Sequence, residues 1–339
     1  MAAAPNAKPI TLSEEREVVR TPLRDAWDQF KRNKLAVISG IFIILLIVVS
    51  LTADVWRSLG TIDDPNFQHR GSSYADPMTC TTDLRRMNPS WCFMAGTDGL
   101  GRDLFSRVVY GSRVSLAVGF VGTITSMTFG VVYGVIAGFY GGRIDNLMMR
   151  FVDFMYALPG LPLIILFRTF FKELENYPEQ AGDFGRWLIQ VNRNMGGLLF
   201  IFIVIGLLSW IGVARLARGQ VLSAKNKEYV ESARAIGARN RRIIFIHILP
   251  NIMGPLIVVA AASIPGFMFT EAALSYLGLG VNPPTPSWGD MINEAQVRGF
   301  ASAQHLVIAP GLAFSLTLLA FNYLGDGLRD ALDPSLRGS

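Results

Sequence analysis

The feature that most constrains this fold is a series of long apolar runs separated by polar segments. The first run, LAVISGIFIILLIVVSLTA, occupies residues 35–53 and contains no charged residue. A helix of about 20 apolar residues is long enough to cross the bilayer's hydrocarbon core. The apolar residues come in blocks, without the alternating or 3.6-residue patterns of half-buried soluble elements. The runs therefore predict an all-α membrane protein.

The composition agrees with this prediction. Hydrophobic residues make up 51% of the chain and charged residues 17%, whereas soluble domains carry about 25% charged residues. The net charge of +5 fits basic cytoplasmic loops. Nucleic-acid binding is not expected, because the chain has neither aromatic–basic interleaving nor zinc-ligand spacing. The first run is too long and too far from the start for a cleaved signal peptide, so it predicts an uncleaved span.

About six spans are predicted, and they divide the chain into five parts. The apolar runs lie at 35–53, 114–140, 147–171, 197–217, 251–280 and 305–328. The parts are an N-terminal arm (1–34), a first transmembrane helix (35–53), an external loop region (54–112), a five-helix core (113–328) with a loop at 218–250, and a tail (329–339).

The distribution of lysine and arginine predicts the orientation. The arm carries Lys31, Arg32 and Lys34 beside the first span, and the 218–250 loop is rich in arginine, whereas 281–303 holds only Arg298. Positive loops stay in the cytoplasm, so both termini are predicted to be cytoplasmic. Cys80 and Cys92 then lie outside, where a disulfide between them is one expectation and two free thiols are the alternative.

One basic segment between two apolar runs, EYVESARAIGARNRRIIFIHILPN (228–251), predicts a surface element. Tyr229, Ala233 and Ile236 recur at helical spacing and predict one apolar face. Gly237 is expected to end that helix, and Pro250 to stop the piece that follows. Such a face fits either an amphipathic helix on the membrane surface or a ridge that docks into a groove of a soluble partner.

The same segment resembles the EAA motif of ABC importer permeases. Glu231, Ser232 and Ala233 match its first triplet, Gly237 its glycine, and Leu249 with Pro250 its ending. Ser232 replaces an alanine, and His247 stands where the general motif has isoleucine. The resemblance implies that the segment is a coupling helix that inserts into a cleft on an ATPase subunit.

A second motif, GTDGLGRDLFSRVVYGSRVSLAVG (96–119), resembles the signature of the C-type permeases of dipeptide and oligopeptide importers. Its acidic and basic residues are predicted to pair with each other at the mouth of the second span, since the ligand spacing of a calcium loop is absent; direct contact with a ligand is the alternative. The matching residues are Gly96, Thr97, Asp98, Gly101, Arg102, Asp103 and Arg107.

Several ionisable residues fall within predicted spans, among them Glu271, Asp153 and Arg168. Glu271 is expected either to line the translocation path or to make a hydrogen-bonded packing contact, because an intramembrane carboxylate is costly. Asp153 is expected to pair with Arg150 or Arg143. Arg168 is expected to extend outward to the membrane surface.

The chain has no catalytic or metal-binding motif, and without a P-loop it is not expected to bind ATP. The resemblance, which covers nearly the whole chain, implies a type I ABC importer permease for peptides in the bacterial cytoplasmic membrane. It implies a second, B-type permease, two ATP-binding subunits that hold ATP and Mg²⁺, and an extracytoplasmic substrate-binding protein. Nickel, glutathione or another small solute is an alternative cargo, and a secondary transporter is an alternative class.

Overall fold

The computed structural model describes residues 22–68, 93–297 and 304–332, and these residues are almost entirely helical. Cys80 and Cys92, with the predicted disulfide, lie outside the described residues. The helices are α1 (Pro22–Arg32), α2 (Lys34–Leu51), α3 (Ala53–Ser58), α4 (Leu104–Tyr140), α5 (Gly142–Ala157), α6 (Gly160–Asn176), α7 (Gly182–Asn194), α8 (Leu198–Ala224), α9 (Glu228–Ala235), α10 (Asn240–Arg242), α11 (Leu249–Tyr276), α12 (Trp288–Val297) and α13 (His305–Leu332).

The described residues contain five candidate membrane spans, or six if one bent helix pair counts as a span. Five helical runs are long and apolar enough to span a bilayer, and α5 with α6 forms a sixth, bent by 81°. The bend lies at Leu158 and Pro159, both outside helical geometry; Leu158 has ψ 137°, as expected for a residue before proline. The prediction of an all-α membrane protein with about six spans is confirmed.

The predicted boundary between external loop and core, at residue 113, is wrong. Helix α4 begins at Leu104 and has 37 residues, so it is about 55 Å long and extends well beyond the hydrocarbon core. Its first turns carry the polar side chains that made this stretch resemble a loop. Within the other predicted external residues, α3 is helical as well.

Helices α4 and α8 pack along a stripe of glycines on α4, as small residues permit. A Cβ added to Gly130 would lie 2.5 Å from Val213 Cβ, and one added to Gly138 would lie 2.9 Å from Arg218 O. An added Cβ on Gly134, between them, would collide with the Ala214 carbonyl oxygen. The two backbones therefore lie too close for a larger residue at these positions.

Most prolines of the spans lie inside helices and do not end them. Pro255 and Pro265 are within α11, and Pro310 is within α13. The expected stop at Pro250 is also wrong, because Asn240–Tyr276 is one continuous helical run. A π-helical segment, Ile243–Ile248, precedes the proline. There the Leu249 N–H donates to Ile244 O, five residues back, which shifts the hydrogen-bond register just where Pro250 lacks a donor.

Candidate functional site

The segment predicted to couple to a partner lies at the end of the bundle where α4 and α8 finish and α11 begins, here called the α9 end. Val230 (0% exposed) and Ala233 (3%) pack into a buried cluster of the same chain. The cluster's other members come from α4, α8, α11 and the π-helical segment; they include Phe139, Val221, Ile243, Ile248 and Ile252. Helix α9 is thus fixed to the bundle by its inner face.

The prediction of one apolar face through Tyr229, Ala233 and Ile236 needs correction, because the structure separates them. Ala233 faces the core, whereas Tyr229 is 38% exposed and Ile236 86% exposed. The outward ridge therefore consists of Tyr229 and Ile236, with exposed Ser232 on the same side and exposed Glu231 further around the helix. Helical spacing alone did not show which apolar residues face the core, because α9 carries apolar residues on its buried side and on its exposed side.

A glycine ends α9 as predicted. Gly237 has φ +79°, its N–H donates to Arg234 O at 2.9 Å, and the Ala238 N–H donates to Ala233 O at 3.0 Å. This pair of bonds is the Schellman arrangement, which requires a left-handed residue that glycine adopts without strain. Nothing lies within 4 Å of a Cβ added to Gly237, so the backbone conformation alone favours glycine here.

The other residues of the predicted motif lie in the run that leads into α11. His247 is in the π-helical segment and half-buried, and its carbonyl oxygen accepts a bond from Asn251 Nδ2. Leu249 is half-buried against the cluster that holds α9, and Pro250 is exposed. Of these three residues only Leu249 contacts the buried cluster, and none belongs to the outward ridge of Tyr229 and Ile236.

Two ion pairs join α5 to α8 near the α9 end. The Arg218 guanidinium donates to both carboxylate oxygens of Asp145, at 2.5 and 2.6 Å. Asp153 pairs with Arg215 at 2.7 Å, so the expected pairing with Arg150 or Arg143 is wrong. The Lys225 ammonium donates to Gly138 O at 2.9 Å. The sequence did not reveal these pairs, because their members are more than 60 residues apart.

The second motif forms a buried charge cluster at the opposite end of the bundle. Asp98 accepts from Arg102 Nε at 2.5 Å and lies 3.6 Å from Arg107 Nε. Glu294 of α12 lies 3.2 Å from Arg102 and 4.0 Å from Arg107. The predicted cross-pairing thus involves Asp98 and both arginines, while Glu294 was missed because it is 192 residues away from Arg102.

Within the described ranges, Asp103 has no arginine partner. It caps α4, accepting bonds from the backbone N–H groups of Phe105 and Ser106 and from the Ser106 hydroxyl. Burial raises the pKa of the Asp103 carboxyl, and these hydrogen bonds oppose the rise. Burial likewise raises the pKa of Asp290 in α12.

Two further contacts join α12 and α13 to the motif. Trp288, fully buried, donates from Nε1 to Val108 O at 2.9 Å, and His305 Nε2 contacts Thr97 O at 3.2 Å. Gly96 and Gly101 have φ of 82° and 77°, which glycine adopts freely. The motif therefore ties the start of α4 to the last two helices.

Arg168 is 1% exposed and turned inward, so the expectation that it extends outward is wrong. Its guanidinium donates to Leu279 O at 2.9 Å and to Gly280 O at 2.7 Å. Asn282 accepts from Arg168 at 3.3 Å and donates to Glu175 at 2.9 Å. This network joins α6 to the segment after α11 and was not foreseen from the sequence.

The Glu271 side chain is completely buried, and Ser275 and Ser115 donate to its carboxylate at 2.7 and 3.4 Å. Because the group is enclosed by this chain, the geometry fits a packing contact between α4 and α11. In this conformation the Glu271 side chain is not exposed to a translocation path. Among the described residues, no group of His, Cys, Asp or Glu is arranged to hold a metal ion.

The candidate membrane spans of the described residues define a multi-pass membrane protein. Residues 130–338 match the family described as binding-protein-dependent transport system inner membrane component. Residues 21–75 match the N-terminal TM domain of oligopeptide transport permease C. The chain belongs to this family of inner-membrane permeases of ABC importers.

Relatives match along almost the whole length. The glutathione transport system permease protein GsiD of Pectobacterium atrosepticum is 38% identical over 94% of this chain and 93% of its own. The dipeptide transport system permease protein DppC of Bacillus subtilis is 38% identical over 93% of this chain and 86% of its own. The oligopeptide transport system permease protein OppC of Haemophilus influenzae is 37% identical over 94% and 90%, respectively.

Proposed function

We propose that this chain is the C-type permease subunit of an ATP-driven importer of di- and oligopeptides. Two of the relatives above, a dipeptide permease and an oligopeptide permease, support this cargo. In the proposed assembly, a B-type permease completes the pore, two ATP-binding subunits supply energy, and an extracytoplasmic binding protein delivers peptide. Glutathione, itself a small peptide, is the second candidate cargo because a relative of equal identity is a glutathione permease.

The observation that carries the proposal is the two-faced geometry of α9. Its inner face, Val230 and Ala233, is part of the core, so the helix moves with the bundle. Its outer face presents Ile236 and Tyr229 to the surroundings. An exposed apolar side chain on a helix held this firmly fits a groove of a partner. In the proposed topology the partner is the cytoplasmic ATPase subunit.

The test introduces charges into the ridge of the assembled transporter. The double variant Tyr229→Asp/Ile236→Asp is expected to reduce ATP-dependent peptide uptake at least about tenfold, because burying an uncompensated carboxylate in an apolar groove is costly. The ATPase subunits should also co-purify less. Asn226→Asp, which adds a charge in the exposed turn before α9, is the control and should transport normally. Undiminished uptake with full ATPase recovery in the double variant would contradict the docking role.

A further inference from the structure

Helix α7 has three different sides. Gly185, Ile189 and Asn192 are buried on the side that faces its own bundle. Phe184 and Trp187 are 71% and 59% exposed, with their rings stacked at 5.8 Å; these two residues are here called the aromatic side. With about 3.6 residues per turn, the remaining exposed polar residues fall on the far side of the helix. This polar side consists of Arg186, Gln190 and Arg193.

Contacts within the chain fix the rotation of α7 about its own axis. Asn192 Oδ1 accepts from the backbone N–H of Phe200, in the first turn of α8, at 3.2 Å, and Asn192 Nδ2 donates to Glu175 of α6. Between α7 and α8, Gly196 and Gly197 have φ of 66° and 85°, so the two helices do not continue into each other. The buried side of α7 is therefore held against α6 and α8, and the aromatic side is left outside the bundle.

The sequence of α8 places α7 at the level of the membrane surface. The uncharged part of α8 is residues 198–214, and Arg215 is the first charged residue after it. A helix of this length is about 25 Å long, slightly less than the hydrocarbon core of about 30 Å. To cross the core, α8 must therefore enter it with its first turn. Since α7 ends at Asn194, only residues 195–197 separate it from that point.

Lipid is the neighbour that fits the aromatic side at this level. Tryptophan and tyrosine are enriched where headgroups meet acyl chains, and exposed Tyr177, in the turn before α7, adds a third aromatic ring. A helix with one apolar and one basic side lies in this boundary, with its apolar side about 5–10 Å deep. Two arginines and one aspartate give α7 a net positive charge, which complements anionic headgroups.

We infer that α7 is an interfacial helix whose aromatic side inserts into the bilayer leaflet at the end of the bundle opposite the α9 end. Its polar side then faces headgroups and water. The contact also anchors a neighbouring segment, because Glu175 accepts from Asn282 Nδ2 at 2.9 Å, and Asn282 lies in the chain after α11. The inference goes beyond the proposed function and does not depend on the cargo.

The test uses site-specific photo-crosslinking in the assembled transporter with its binding protein, in nanodiscs of phosphatidylethanolamine and phosphatidylglycerol. The photoreactive residue p-benzoylphenylalanine replaces Phe184 or Trp187 on the aromatic side, one position at a time. Replacement of Arg186 or Arg193, on the polar side of the same helix, is the matched control. Mass spectrometry distinguishes phospholipid adducts from adducts with each protein subunit.

The two aromatic-side positions are expected to give at least about fivefold more phospholipid adduct than the two controls, because only the apolar side of an interfacial helix reaches the acyl chains. Adducts mainly with the binding protein or the second permease would overturn the inference and identify that protein as the neighbour. Equal phospholipid adducts on both sides, or none on the aromatic side, would equally overturn it.

A second measurement uses the native side chain. The fluorescence that the parent chain has and Trp187→Phe lacks is assigned to Trp187. This difference signal should be quenched more strongly by phospholipids brominated on the upper acyl chain than by acrylamide in the water. Stronger quenching by acrylamide would place Trp187 in water and overturn the inference, even where the crosslinking variants do not assemble.

Discussion

In the buried charge cluster before α4, one carboxylate, that of Asp98, makes several contacts. Asp98 accepts bonds from the backbone N–H groups of Leu100 and Arg102 as well as from the Arg102 side chain. The side chains of Asp98 and Arg107 are 3% and 2% exposed. Removing one member of a buried ion pair leaves the other charged and poorly solvated, which costs more than losing an exposed pair.

At this scale we predict that Asp98→Asn destabilises the protein by roughly 3 kcal/mol, because two buried arginines lose their shared carboxylate. The thermal unfolding temperature of the purified chain in detergent measures the effect. Asp64→Asn is the matched control: it breaks the exposed Arg57–Asp64 pair of 2.7 Å, which should contribute less than about 1 kcal/mol. Equal unfolding temperatures for the two variants would show that the cluster is not structural.

Helix α4 packs closely against α8. This packing depends on the absence of side chains at Gly130, Gly134 and Gly138, where an added Cβ would collide with α8. Overpacking a rigid interface of this kind forces the helices apart or the side chains out of their preferred rotamers. Helix propensity acts in the opposite direction, because alanine stabilises a helix relative to glycine.

The two effects give opposite predictions for the same substitution on the two helices. Gly134→Ala is expected to destabilise the protein by about 1–3 kcal/mol through overpacking. Gly212→Ala, on α8, adds a Cβ that meets nothing within 4 Å, so it should be neutral or stabilising. Unfolding temperatures of both variants are compared with the parent chain. An increase for Gly134→Ala would mean that the helices separate there without cost.

Sequence patterns predicted the elements better than their contacts. The apolar runs predicted about six spans, and Gly237 marked the end of α9. The start of α4 was missed because Arg107 and Arg113 are charged, which is more typical of a loop than of a membrane helix. In the structure they pair with Asp98 and Asp54, respectively. Likewise, the inner face of α9 could not be told from the outer one, since burial depends on distant helices.

For the whole molecule, the helix ends separate into two sets. The ends of α4, α8 and α13 and the start of α2 form one set, and the starts of α4, α8 and α13 form the other. By the distribution of arginine and lysine, the first set is predicted to be cytoplasmic. Helix α1, beside α13, then lies on the cytoplasmic side, and α7 lies outside.

This orientation is tested with cysteines at exposed positions of α1 and α7. In intact cells, an impermeant maleimide is expected to label Asp183→Cys and to leave Arg32→Cys unlabelled, and inside-out vesicles should reverse the result. The side chain of Asp183 is 99% exposed and Arg32 is exposed, so burial does not limit either reaction. The parent chain corrects for Cys80 and Cys92. Labelling of both positions from one side would refute the six-crossing topology.

The glycine stripe has a mechanical consequence. Because α4 and α8 touch along their backbones, and α9 packs on the end of this pair through Val230 and Ala233, a force on α9 displaces the pair as a rigid lever with little bending. The bend at Leu158 and Pro159, by contrast, interrupts the neighbouring span. We therefore expect a push on α9 at one membrane surface to reach the opposite end of the α4–α8 pair.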